Sequence, residues 1–209
     1  MRLRNVKNAT QILNDNINYL GNPKEYKGKY KTLFNNDNPI HIEIGMGKGD
    51  FLIGMAKKYP NINFIGIEKY ESVLVRAAQK MAEQELTNTR IMSIDAITLN
   101  EIFEREIEAI YLNFSDPWPK NRHRKRRLTS SDFLKVYEQI FKDKKTIIQK
   151  TDDITLFASS LEDLSQFGYT FERVSLDLHN EDLFNVKTEY EEKFSKRGYK
   201  INYLVAKKD

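Results

Sequence analysis

Ile40-His-Ile-Glu-Ile-Gly-Met-Gly-Lys-Gly-Asp-Phe-Leu-Ile-Gly-Met-Ala56 decides the fold of this chain. Ile40–Ile44 reads as a short strand between Pro39 and Gly45. Gly45-Met-Gly-Lys-Gly49 is a tight turn, and Phe51–Ala56 carries on as a helix. Glycines at a strand-to-helix turn let backbone amides come close to a ligand. The G-x-G-x-G spacing is one residue shorter than the dinucleotide fingerprint.

Working outward, the strand–helix pattern repeats. Ile62–Ile67, Arg90–Ile94, Ala109–Phe114 and Lys145–Gln149 read as strands, with helices over Glu71–Glu85, near Leu99–Phe103, from Thr129-Ser-Ser-Asp132 to about Phe141, and over Thr155–Phe167. Thr170–Leu178 and Tyr199–Ala206 read as two further strands with only a loop, Asn180–Gly198, between them. The pattern predicts an α/β, Rossmann-like class: a mostly parallel seven-stranded sheet, helices on both faces and an antiparallel edge hairpin. Residues 39–209 are expected to form one domain. Residues 1–38, rich in Asn and Lys, are expected to be a basic, flexible arm, with a short helix near Ala9–Leu13.

No apolar run approaches a membrane span and the N-terminus is polar, which points to a cytoplasmic protein. There is no cysteine among the 209 residues. Disulfides and thiolate metal sites are thereby excluded, and isolated histidines argue against a metal altogether. The net charge of +4 is unevenly distributed. Residues 1–35 carry seven Lys/Arg against two acids, and Lys120–Arg127 adds six basic side chains and no acid. An otherwise acidic domain with two basic patches favours nucleic acid over a small-molecule substrate.

Four acids fall near the carboxyl ends of successive strands: Glu43, Glu68, Asp95 and Asp116. That edge is where open α/β sheets bind ligands. Glu68 lies about twenty residues past the glycines, where a carboxylate holds ribose hydroxyls. An acid-rich crevice suits S-adenosylmethionine (SAM), with its sulfonium, ammonium and ribose, better than a pyrophosphate. Pro117 and Pro119 fix two φ angles and hold Ser115–Lys120 as a preset loop. Within it Asp116 can accept the adjacent N1–H and N2–H donors of guanine, and Trp118 can either stack on a base or pack the loop.

Asn113-Phe-Ser-Asp-Pro-Trp-Pro-Lys-Asn-Arg-His-Arg-Lys-Arg-Arg-Leu128 closely resembles the signature of bacterial tRNA (guanine-N7-)-methyltransferases. Glu43–Gly49, Gly66-Ile-Glu68, Lys150-Thr-Asp152 and Thr188-Glu-Tyr-Glu191 match further motifs in the same order. The resemblance implies a SAM-dependent enzyme acting on the variable-loop guanosine at position 46 of tRNA, as monomer or homodimer. It implies that Glu43, Gly45, Gly47, Gly49, Glu68, Asp95 and Asp116 line the SAM site, with Asp116 catalytic. Lys120, Asp152, Thr188, Glu189, Tyr190 and Glu191 would contact substrate. Arg122, His123, Arg124, Lys125, Arg126 and Arg127 would contact RNA. One departure is visible: the family's Thr-Asp-Asn is Thr151-Asp152-Asp153 here. Read without the family, Thr188–Glu191 is the capped start of an exposed helix. Rival readings are a DNA amino-methyltransferase, whose motif places both prolines before the aromatic residue, a nicotinamide dehydrogenase, and a non-catalytic RNA-binding protein on a methyltransferase scaffold.

Overall fold

Residues 6–209 are described in a computed structural model. In chain order the elements are α1 (Ala9–Asn14), α2 (Tyr30–Phe34), β1 (Ile40–Ile44), α3 (Asp50–Lys58), β2 (Asn63–Glu68), α4 (Glu71–Ala82), β3 (Thr89–Ser93), α5 (Leu99–Ile102), β4 (Ile107–Asn113), α6 (Ser131–Ile140), β5 (Phe141–Thr151), α7 (Ile154–Gln166), β6 (Thr170–Ser175), α8 (Glu189–Ser195) and β7 (Asn202–Lys208). They build one seven-stranded sheet in the order β3-β2-β1-β4-β5-β7-β6. Strands β1 to β5 pair in parallel. Strand β7 runs antiparallel to both β5 and β6. The α/β class, the parallel majority and the antiparallel edge are as expected from the sequence. The loop expected over Asn180–Gly198 contains α8, which starts with the full capping box of Thr188 and Glu191.

The central strands are apolar because both faces are covered. Ile42, Ile65 and Ile110 are fully buried at the middle of β1, β2 and β4. One core contains α5, α6 and the apolar side of α7; the other packs α3 and α4 against the opposite face. The strand order reverses direction at β1, with β2 on one side and β4 on the other. That is the topological switch point at which a crevice opens at the carboxyl ends of the strands.

The expectation of a flexible arm over 1–38 gives way over residues 6–38; residues 1–5 lie outside the described residues. Leu13 and Tyr30 are fully buried and Leu20 and Phe34 nearly so. The backbone of this segment bonds to β3: Leu20 N–H donates to Ile91 O at 2.9 Å and Ile91 N–H to Asn18 O at 2.8 Å. The buried Asn18 amide donates to Leu86 O and to Thr89. The Glu106 carboxylate accepts from the Gly28 and Tyr30 amides. Four isolated apolar side chains and a few long-range hydrogen bonds are enough to anchor a segment whose average composition looks disordered.

Candidate active site

Five carboxylates line the carboxyl edge of the sheet, in the spatial order Asp95, Glu68, Glu43, Asp116, Asp152, which follows β3, β2, β1, β4 and β5. Between the glycine turn after β1 and the loop after β4 lies an open cleft of about 840 Å³, whose walls include Gly45, Glu68, Asp95, Asp116 and Trp118.

The glycine turn is shaped by its residues. Gly45, Gly47 and Gly49 all have positive φ (77°, 57° and 81°), which costs a residue with a Cβ roughly 1–2 kcal/mol. A Cβ on Gly45 or Gly47 would meet nothing within 4 Å, so these two face open space where a ligand's backbone contacts would fall. Gly49 is different: a Cβ there would lie 3.0 Å from Met46 and 3.1 Å from Ala77. The turn is fastened to β2, because Gly47 N–H donates to Glu68 Oε2 at 3.2 Å and Gly45 N–H to Ile67 O at 2.8 Å. Burial pushes the Glu68 carboxyl up, against the amides of Tyr70 and Gly47 that hold it ionised.

Glu43 is the most deeply placed of the five, at 2% exposure. Burial raises its carboxyl to about 8, opposed by the hydrogen bond from Asn113 and the charge of Lys150. Asn113 Nδ2 donates to Glu43 Oε1 at 2.9 Å, across the switch point from β4 to β1. Glu43 Oε2 and Asn113 Oδ1 find no partner among the described residues. A buried acceptor pair of this kind fits a cationic donor group reaching the strand ends. Asp95 is partly exposed, accepts from Ile97 N–H and pairs with Lys69 at 2.7 Å.

The loop after β4 is held rigidly. Phe114 and Trp118 adopt φ of 51° and 42°, a conformation rare for bulky residues and concentrated at functional loops. Phe114 N–H extends the ladder to Lys150 O. Asp116 is exposed at the cleft. Trp118 packs within the loop: the Arg126 guanidinium lies 4.8 Å over its ring and His123 meets it edge-on at 5.6 Å. Lys120 precedes a short 3-10 helix, Asn121–Arg126.

The six residues expected to contact RNA separate. Arg122, Lys125 and Arg126 are exposed. Arg124 is tied to Asp163 at 2.6 Å and Glu162 at 2.8 Å, and His123 packs on Trp118. Arg127 differs from the rest of the run: it is 4% exposed and donates to Pro117 O, Trp118 O and Ser159 Oγ. Its guanidinium satisfies the turned loop carbonyls from beneath and is not presented to a ligand.

The substrate set also divides. Asp152 Oδ2 accepts from Tyr190 Oη at 3.3 Å, and Glu189 pairs with Lys48 at 2.8 Å. Glu191, expected to contact substrate, sits in a network of its own. It is fully buried, and both oxygens are occupied. Oε2 takes Lys150 Nζ at 2.7 Å, and Oε1 takes His179 Nε2 at 2.8 Å and the Asn185 amide. Lys150, also buried, directs its remaining donors to Val186 O at 2.9 Å and Asn185 Oδ1 at 3.1 Å. Burial pulls the Lys150 ammonium below its ordinary range despite the pull of Glu191. Burial also works against ionised Glu191, but Lys150, His179 and Asn185 outweigh it and hold that carboxyl low. Asn113 and Lys150 stand inside the motifs quoted from the sequence but carry no assigned role there, and His179 and Asn185 are not singled out.

Asp153, where the family has Asn, caps α7: its Oδ1 accepts from Leu156 N–H at 2.7 Å. Asn caps equally well, so the departure preserves the local structure.

Residues 37–204 match a family described as "Putative methyltransferase". A tRNA (guanine-N(7)-)-methyltransferase of Bacillus subtilis (strain 168) is 52% identical over 204 residues, covering 96% of each chain. One from Geobacillus sp. (strain WCH70) is 54% identical, covering 96% of this chain and 93% of that one. Among solved structures, the 16S rRNA methyltransferase KamB superposes with a TM-score of 0.66 at 12% identity, over 86% of this chain and 92% of that one; this likeness concerns the fold alone. With full-length relatives at this identity and the same motifs gathered at one sheet edge, the chain belongs to the tRNA (guanine-N(7)-)-methyltransferase family.

Proposed function

We propose that this protein transfers the methyl group of SAM to N7 of the variable-loop guanosine, position 46, of tRNA. The observation that carries the reading is the row of five carboxylates across the switch point, beside a rigid loop that runs into exposed Arg122, Lys125 and Arg126. A cytoplasmic location accords with such a substrate, and among the described residues no helix is long and apolar enough to cross a membrane.

The donor side of the cleft fits SAM. Glu68 would hold the ribose hydroxyls and Glu43, with its unpartnered oxygen, the ammonium end; Gly45 and Gly47 leave the space its methionine chain needs. When bound, SAM supplies an electrophilic methyl on a sulfonium. The protein's own residues then have two tasks. Guanine N7 carries a lone pair and no proton, so no general base is needed to create the nucleophile. Asp116 orients the guanine through its N1–H and N2–H donors, and the surrounding carboxylates favour the positive charge that develops on the purine.

Two experiments test this. Incubation with methyl-labelled SAM and unmodified tRNA, then nucleoside analysis, should place label in 7-methylguanosine. A tRNA lacking the variable-loop guanosine should take none. Label in another nucleoside would overturn the acceptor assignment. Asp116→Asn should lower kcat by about 10²–10³-fold, the scale of a missing transition-state hydrogen bond. An Asp116→Asn enzyme that keeps the wild-type kcat would overturn the orienting role of Asp116.

A further inference from the structure

Four aromatic side chains form a continuous column at the mouth of the site. Phe114 lies 5.1 Å from Tyr190, Tyr190 stacks on Phe194 at 4.0 Å with planes 16° apart, and Tyr199 meets Phe194 edge-on at 5.4 Å. None of the four belongs to either hydrophobic core of the described residues. They pack on one another and on solvent: Tyr190 is 42% exposed and Tyr199 53%. Rings of this size are ordinarily placed to bury area, so a self-supporting exposed column lacks a folding explanation.

Its surroundings identify its partner. The inner end, Phe114, is two residues before Asp116. Tyr190 is fixed through its hydroxyl to Asp152 and through its helix to the buried Lys150–Glu191 pair. The outer end is cationic. The Arg197 guanidinium sits 5.6 Å over the Phe194 ring, and Lys193 and Lys196 are exposed on the same helical segment. Stacked rings interleaved with cations are what single-stranded nucleic acid requires: π-faces for bases and positive charge for phosphates. A folded peptide or lipid surface would not need rings presented in register with separate cations.

We propose that this column is a stacking site for the unpaired bases that flank the target guanosine, and that Phe194, Tyr199 and Arg197 are RNA-binding residues. The inference rests on the proposed tRNA substrate. Its physical content is that the guanosine leaves its own stack to reach Asp116, and the column replaces the stacking its neighbours lose. Phe194 and Tyr190 are held by each other, so Tyr199 is the residue best placed to meet a base directly.

The test is steady-state methylation of unmodified tRNA, scored as 7-methylguanosine, with SAM affinity measured separately by calorimetry. Tyr199→Ala should raise the tRNA KM about tenfold, within the range for one missing base stack, and leave kcat and the SAM Kd unchanged. Tyr199→Trp should restore the wild-type KM. With a tRNA whose unpaired neighbours of the guanosine are abasic, the wild-type KM should rise to the Tyr199→Ala value, and the substitution should cost nothing more. An unchanged KM for Tyr199→Ala on intact tRNA overturns the proposal. So does a full further loss on the abasic tRNA. A wild-type enzyme that makes no 7-methylguanosine overturns the substrate reading itself. Failure of the column alone leaves wild-type turnover intact, so the two are told apart.

Discussion

Glu191→Gln separates a substrate ligand from a structural anchor. Both Glu191 oxygens are already occupied within the protein, and its side chain and that of Lys150 are 0% and 3% exposed. Glutamine keeps the shape but removes the charge and turns one acceptor end into a donor. That NH2 must face either the Lys150 ammonium or the His179 and Asn185 side chains, and the first strands a buried cation. Removing one partner of a buried pair costs about 3–5 kcal/mol. Glutamine keeps the side chain's shape and one acceptor, so the lower end applies, about 3 kcal/mol. At this chain length that lowers Tm by about 6–12 °C. Urea and thermal unfolding of the free protein measure it. The tRNA KM should rise because α8 loosens, while SAM binding on the β1–β3 side should hold. The double variant Lys150→Met/Glu191→Leu removes both charges but leaves the His179, Asn185 and Val186 polar groups unpartnered, so it should recover only part of the stability. A Glu191→Gln protein that melts with wild type yet loses tRNA affinity would refute this reasoning and return Glu191 to the substrate contacts.

Five further outcomes are expected. Glu43, raised to about 8 from 4.5, keeps a proton in the folded state that the unfolded chain has lost, so its contribution is fully present below pH 4.5 and drains away as pH rises through 8. His41, lowered by burial to about 4 from 6.5, works in the opposite sense and offsets this up to pH 6.5. A net loss of about 2 kcal/mol between pH 6.5 and 8 remains, and it should vanish in Glu43→Gln as read by urea unfolding at the two pH values. Titration of SAM near pH 7 in buffers of different ionisation enthalpy should also register release of close to one proton, and no release in Glu43→Gln. Gly54→Ala places a Cβ 2.5 Å from Val186 Cγ1, an overpacking worth about 1–3 kcal/mol; it should raise the tRNA KM more than the SAM Kd, because Val186 leads into α8. Arg127→Ala should destabilise by about 2 kcal/mol or more through its unsatisfied loop carbonyls. Neutralising Arg122, Lys125 and Arg126 should instead leave Tm unchanged and flatten the salt dependence of tRNA binding by about 0.7–0.9 for each phosphate no longer neutralised.

The parts of the fold legible in the sequence are those whose signal is local. Ile40–Ile44 followed by Gly45-Met-Gly-Lys-Gly49 declares a strand, a turn and a helix within seventeen residues, and the acids at the strand ends follow from counting. Over residues 6–38 the short helix near Ala9–Leu13 is legible, but the anchoring is not, because Leu13, Leu20, Tyr30 and Phe34 are scattered through polar sequence and the segment's long-range hydrogen bonds go to β3 and Glu106, more than seventy residues away. The basic run shows the same limit at the site. Six cations in eight residues read as one patch, yet the backbone aims Arg127 inward and Arg124 at α7. The role of Lys150 is hidden for a related reason: lysine ordinarily lies outside, and its partners are 35 to 41 residues further on.

The switch point divides the chemistry as well as the topology. On the β1–β3 side the glycine turn, Glu43 and Glu68 are suited to the methyl donor. On the β4–β5 side the Phe114–Lys120 loop, Asp152 and α8 would meet the proposed acceptor. One buried contact joins these halves, from Asn113 on β4 to Glu43, and the Lys150 charge, paired with Glu191 at 2.7 Å, acts on Glu43 electrostatically as well. Glu43 therefore senses both halves: a cation beside its free oxygen ionises it, and an ionised Glu43 strengthens the hold on Lys150 and through it on Glu191 and α8. Donor occupancy should then stiffen the acceptor side. Hydrogen exchange of the residue 188–195 amides should slow when SAM binds and should not respond in Glu43→Gln loaded to the same occupancy. A protection that appears equally in both would sever this link and leave the two halves as independent sites on one sheet.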